Sequence, residues 1–150
     1  MRAVIQRVSE ASVVIGEKKV ANINQGLLVF LGIEVEDEKN DSIWLANKII
    51  QLRIFQDEKE VMNKSIMDVD GEIIVVSQFT LHAKTKKGNR PSYIKAARPE
   101  QAVPMYEQFK KDLSEVIGNQ VQSGEFGADM KVSLINDGPV TIIIDTKNKE

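Results

Sequence analysis

Apolar residues along this chain recur with two different periods. Residues 2–8 alternate apolar and polar well enough to predict a strand, and residues 11–15 and 20–23 flank a glycine-containing turn as the arms of a hairpin. Residues 27–33, LLVFLGI, form a short unbroken apolar run of the kind that buries both faces of a strand. The period then lengthens. Ile43, Ala46, Ile49 and Ile50 fall at three- and four-residue steps, with Leu45 and Leu52 flanking that face. The stretch after Asp37 is therefore predicted to be an amphipathic helix with Asp37 as its cap. A short strand is expected at residues 53–55, turns at DEKE and VDGE, and another buried strand at residues 72–76.

A second helix is predicted over residues 99–117, where Ala102, Tyr106, Phe109, Leu113 and Val116 recur at helical spacing and Gly118 supplies a stop. Pro104 removes a backbone donor near its start and predicts an irregular first turn or a kink. A short strand at residues 120–122, a glycine-rich turn at SGEFG, a strand at residues 130–135 and a final strand at residues 140–145 complete the pattern, followed by a frayed polar tail, TKNKE. No repeat or linker divides the chain. The order strands, helix, strands, helix, strands predicts one α/β (α+β) domain spanning residues 1–150, with layered β-sheets and two main helices packed on one side.

Composition narrows the chemistry. With 150 residues, 42% hydrophobic and 28% charged, the chain has the profile of one soluble domain. It contains no cysteine, which excludes a disulfide framework, a thiolate zinc site and a cysteine nucleophile. The amino terminus lacks a signal-peptide core and no window approaches a membrane span, so a cytoplasmic location is expected. Net charge is only −2, yet residues 82–99 carry Lys84, Lys86, Lys87, Arg90, Lys95 and Arg98 without a single acid. The protein is thus an acidic body with one basic tongue, either a solvated loop or a phosphate-binding element.

The single histidine, His82, has no triad or zinc spacing around it and reads as a surface or phosphate-facing residue beside the basic loop. No glycine-rich nucleotide fingerprint or zinc-protease motif occurs, so no cofactor or metal is expected. Two stretches place polar residues where a buried strand should end. In the first, the apolar run EIIVV leads directly into Ser77, Gln78, Phe79 and Thr80. Ligands commonly meet strand ends there, and backbone N–H groups can stabilise an oxyanion while Ser77, Gln78 and Thr80 orient a substrate. In the second, NDGPVT, the Gly138-Pro139 pair is either an ordinary turn or a cis peptide presenting two fixed carbonyl acceptors.

Taken together, SQFTL at residues 77–81, GNRPS at 88–92 and NDGPVT at 136–141 closely resemble the motifs of the D-aminoacyl-tRNA deacylase family. The opening RAVIQRV, LRIF at residues 52–55 and GEFGADMKVSLINDGPVT match that family in order and spacing, so the resemblance covers nearly the whole chain.

The resemblance implies a homodimer in which a cis Gly138-Pro139 element enters the partner subunit's active site and faces its SQFTL strand end. L side chains would be excluded there, whereas D-aminoacyl and glycyl esters would fit. Arg7 would hold the element in its orientation, with Val140 and Thr141 supporting it. Catalysis would rest on backbone oxyanion stabilisation near Phe79, with the terminal ribose hydroxyl assisting attack by water and Thr80 positioning instead of attacking. Lys84, Lys86, Lys87 and Arg90 acquire a role as transfer RNA phosphate contacts. The implied partners are D-aminoacyl-tRNA and a second copy of the chain, with no membrane and no DNA. The competing reading is a non-catalytic dimeric RNA-binding module.

Overall fold

A computed structural model describes all 150 residues. The chain runs through β1 (Arg2–Ile15), β2 (Lys18–Ile23), β3 (Gly26–Gly32), α1 (Lys39–Gln51), β4 (Phe55–Gln56), β5 (Met62–Lys64), β6 (Glu72–Ser77), a 3-10 turn (Phe79–His82), α2 (Pro99–Ile117), β7 (Gln122–Ser123) and β8 (Lys131–Asp145). Six strands form one sheet in the order β2-β1-β3-β6-β7, with β8 also on β1, while β4 and β5 pair separately. β6 runs parallel to β3 and β7, and the other pairings are antiparallel.

The central strands explain their own sequences. From β3 and β6, Leu27, Val29, Leu31, Ile73 and Val75 join a cluster containing Leu45, Ala46, Ile49 and Ile50 of α1 and Ala102, Tyr106, Phe109 and Leu113 of α2. Both helices therefore cover one face. Leu28, Ile74 and Val76 point the other way, into a second cluster with Val13, Ala21 and Ile23. A strand buried on both faces has no polar face to alternate with, hence the unbroken apolar runs. The helices are joined below this layer by Ser42, whose hydroxyl donates to the Asp112 carboxylate at 2.6 Å.

Several expectations are corrected. Residues 2–8 and 11–15 form one strand, because β1 switches neighbours without stopping. It pairs with β3 over its first half and β2 over its second, and the exposed Ser9–Glu10 step coincides with a register shift against β8. Such a bulge changes which residues face inward and bends the strand over the back of the sheet. Likewise the expected strands at residues 130–135 and 140–145 are one continuous partner of β1. The short strands are offset by a residue or two, and β5 was not expected.

On α1, Ile43 is exposed, and the buried face is Ser42, Leu45, Ala46, Ile49 and Ile50. Glu38, not Asp37, caps that helix: the Asp41 carboxylate accepts from the Glu38 N–H at 2.8 Å. Asp37 is instead buried, accepting from the Met1 amino group and, at 2.8 Å, from the Glu34 N–H. α2 continues through Pro104, which lies on the exposed face and forgoes only the bond to the carbonyl of the exposed Glu100. The polar tail is not wholly frayed: Thr146 is buried and its N–H donates to the Met1 carbonyl at 2.8 Å. No helix is long and apolar enough to cross a membrane.

Candidate active site

Parallel strands β3 and β6 end side by side, and the chain leaves β6 at Ser77. The Gln78 N–H donates to the Leu31 carbonyl at 2.7 Å, extending the pairing by one residue. The 3-10 turn then begins, its first internal bond running from the Leu81 N–H to the Gln78 carbonyl at 3.2 Å. The N–H groups of Phe79 and Thr80 precede that bond, so the turn itself offers them no acceptor. They are available at the carboxyl end of the strand. The Gln78 side-chain amide donates to the Thr80 hydroxyl oxygen at 2.5 Å, and no carboxylate or imidazole reaches that oxygen. Thr80 is oriented, but it has no base to activate it.

Ser77, Gln78 and Phe79 line a cleft of about 330 Å³ floored by Leu31 and Val76. Its far wall is Phe126, Gly127, Ala128, Asp129 and Met130, where the sequence predicts only a turn and the start of a strand. The glycines around Phe126 carried the signal. At Gly124 an added Cβ would lie 2.2 Å from the Met130 sulfur, and Gly127 has φ +80°, so this wall depends on close approach and a left-handed residue. The acid in the cleft, Asp129, is paired with Lys131 at 3.0 Å. Nowhere do three or more His, Cys, Asp or Glu side chains converge as metal ligands would.

The turn is held from below by two residues. The Arg2 guanidinium donates to the Leu81 carbonyl at 2.7 Å and, through two nitrogens, to the Asp145 carboxylate at 3.0 and 2.7 Å. Burial alone would raise the Asp145 pKa, but hydrogen bonds from Arg2 and the Lys147 N–H hold it below its ordinary value. His82 is not the surface residue expected. It is 3% exposed and packs where a Cβ on Gly32 would sit 3.0 Å from its ring, and its Nε2 has no partner.

The second cluster lies where β8 crosses β1. Asn136 pairs with Val8 and Thr141 with Gln6, so the residues between them bulge outward opposite Arg7. These residues form a hook on a continuous strand, and the Gly138-Pro139 peptide within it is cis. Arg7 is 6% exposed, donating to the Asp137 carbonyl at 2.9 Å and to the Ile54 carbonyl at 2.7 Å. Asn136 clasps the hook from inside: its carbonyl accepts from the Val140 N–H and its amide donates to the Thr141 hydroxyl, both at 2.8 Å. The sequence places Asn136 in the NDGPVT stretch but assigns it no role of its own. Gly138 and Pro139 are exposed, and neither they, Arg7, Val140 nor Thr141 lines the cleft of Ser77, Gln78 and Phe79. One chain thus carries two clusters of candidate residues that it does not bring together.

The basic tongue leaves the 3-10 turn and returns through a bridge in which Lys84 and Ser92 exchange backbone hydrogen bonds of 2.8 and 3.0 Å. Lys84, Lys86, Lys87 and Arg90 are exposed, and none forms an ion pair.

Against this geometry, a profile of the family described as D-Tyr-tRNA(Tyr) deacylase matches residues 4–145. The chain belongs to this family. A protein of Flavobacterium johnsoniae named D-aminoacyl-tRNA deacylase is 63% identical over 150 residues, with all of both chains covered. A Bacteroides fragilis protein of the same name is also 63% identical over the full length of both. Among solved structures, one titled c-Myc DNA Unwinding Element Binding Protein has a TM-score of 0.92 and 41% identity, covering 97% of this chain and 98% of its own. A probable eukaryotic D-amino acid tRNA deacylase has a TM-score of 0.81 at 16% identity over 95% and 97% of the two chains, a likeness of fold. The family match spans both clusters and the tongue but leaves Arg2, the support beneath the turn, outside it.

Proposed function

We propose that the protein hydrolyses the ester joining a D-amino acid to the 3′ end of a transfer RNA. The whole chain acts as one deacylase domain, in the cytoplasm, as a homodimer without metal or cofactor. The observation that carries this reading is the separation of the two site halves. The hook is anchored by Arg7 and Asn136 and projects from the molecule, while the cleft beside Ser77, Gln78 and Phe79 lacks any wall from it. A second copy supplies the missing wall if each hook enters its neighbour's cleft, an isologous exchange natural to a two-fold dimer.

Handedness is then sorted by exclusion. The carbonyls of Gly138 and Pro139 receive the substrate's ammonium group and leave no space on the side an L side chain would occupy. D residues pass, and so does glycine. Water adds to the ester carbonyl, and the developing oxyanion is held by backbone N–H groups at Phe79. Collapse of the tetrahedral intermediate breaks the carbon–oxygen bond to the ribose, releasing the free amino acid and the RNA. The neighbouring ribose hydroxyl assists the incoming water, and Thr80, fixed by Gln78, positions it. Lys84, Lys86, Lys87 and Arg90 hold backbone phosphates without reading sequence.

Matched D- and L-aminoacyl-tRNA, incubated separately with the protein, test the reading: the D ester should be released and the L ester spared. A non-catalytic RNA-binding module would release neither. Thr80→Val and Thr80→Ala should lower the rate far less than the several orders of magnitude expected for loss of a nucleophile. Charge reversal at Lys86, Lys87 and Arg90 should weaken transfer RNA binding and flatten its salt dependence.

A further inference from the structure

Resting on the reading that the substrate is a transfer RNA, we propose that Phe79, Tyr93 and Ile94 form a stacking platform for the unpaired bases at the RNA's 3′ end. Phe79 and Tyr93 are the exposed aromatic residues of the chain, at 53% and 36%, and Ile94 beside them is 77% exposed. The remaining aromatic side chains are buried or half-buried. The two exposed rings meet each other, with centroids 4.9 Å apart and planes at 75°. In such an edge-to-face pair, the ring offering its edge keeps both faces free of its partner. Leaving large apolar side chains in water forgoes the gain from burying them, so a contiguous exposed patch marks a contact surface.

The chain holds this patch in place. Phe79 opens the 3-10 turn whose backbone lines the cleft, and Tyr93 follows the residue that closes the tongue on Lys84. The Ala96 N–H donates back to the Tyr93 carbonyl at 2.9 Å, so the returning limb is turned at that point. The rings therefore stand between the cleft mouth and the cations of the tongue. Lys84, Lys86, Lys87, Arg90, Lys95 and Arg98 flank them in a stretch without an acid, and none is engaged in an ion pair. Free cations around exposed aromatic rings complement a single strand, whose phosphates and base faces alternate.

Binding of uncharged transfer RNA, measured over a range of salt, tests this without requiring hydrolysis. Tyr93→Ser should weaken binding roughly 5- to 150-fold, the loss of one stacked base, while leaving the slope of affinity against salt unchanged. Tyr93→Phe should bind as the native protein does, and Tyr93→Leu, apolar but without a ring face, should resemble Tyr93→Ser. An RNA shortened by its unpaired 3′ nucleotides should bind the native protein and Tyr93→Ser equally. The platform is overturned if Tyr93→Ser binds full-length RNA normally, if the shortened RNA shows the same loss, or if the variant sediments as a different oligomer, which would make the patch a contact between copies. Hydrolysis of D-aminoacyl-tRNA by the native protein is scored separately. Its absence alongside Tyr93-dependent binding removes the proposed activity and leaves the platform standing.

Discussion

Gly138 illustrates how one position can be decided by neighbours that are remote in sequence. Its φ is +134°, and a Cβ would lie 2.9 Å from both the Arg7 guanidinium and the Val140 side chain. Gly138→Ala should cost about 1–3 kcal/mol of unfolding free energy, read from urea titrations, because either the backbone or Arg7 must yield. Asn136→Ala removes two hydrogen bonds inside the hook but leaves Arg7 in place. A loss of about 1–2 kcal/mol is expected. Its signature should be a raised rate on the L ester relative to the D ester, because a loose hook excludes poorly. An unchanged ratio of the two rates would remove Asn136 from the selectivity account. Asn136 stands inside the NDGPVT stretch, but its clasp on Val140 and Thr141 depends on the folded-over shape of the hook, which the linear motif does not display.

At the scale of elements, the ends of the chain are clasped to each other. Arg2 and Asp145 are register partners on β1 and β8, and Lys147 pairs with Asp41 of α1 at 2.8 Å. For Asp41, as for Asp145, burial pushes the pKa up. Hydrogen bonds from Lys147 and from the Glu38 N–H outweigh it for Asp41, and those from Arg2 and the Lys147 N–H do so for Asp145. Both carboxylates thus titrate lower in the folded state than in the unfolded chain. Their contribution is complete at neutral pH and is lost as pH falls from about 4 through the depressed native values. Asp145→Asn should lower stability at neutral pH and shallow the acid slope, as measured by urea unfolding between about pH 2.5 and 7. An acid slope identical to that of the native protein would contradict this assignment. The same clasp bears on the proposed function, since Arg2 also holds the Leu81 carbonyl of the 3-10 turn beside the cleft.

For the whole molecule, the consequence of the proposed exchange is that one chain would be half of each site. β8 pairs only with β1, leaving a 15-residue edge strand whose outward side chains include Ile135 and Ile143, the latter 68% exposed. A long exposed edge with apolar side chains is a template for pairing with another chain. Ile143→Lys should shift sedimentation toward the monomer. Mixing supplies the sharper test. Chains with a disabled cleft, Gln78→Ala, added to Asn136→Ala chains should restore chiral selectivity, because working clefts then receive sound hooks from the other subunit. Unaltered selectivity on mixing would mean that no hook is exchanged.

Apolar period and turn chemistry by themselves determined both helices, the doubly buried strands β3 and β6, and the strand end at Ser77–Thr80, since each is a property of neighbouring residues. They also marked residues 136–141 as special and residues 82–99 as the basic element. Only the tertiary structure decided that β1 and β8 run unbroken, because a strand that bends through a bulge looks locally like two strands. Register across the sheet put Arg7 against Gly138, buried His82 against Gly32, and brought Phe126–Met130 opposite Gln78. Those contacts join residues far apart in sequence, and no local pattern encodes which remote partner each will meet.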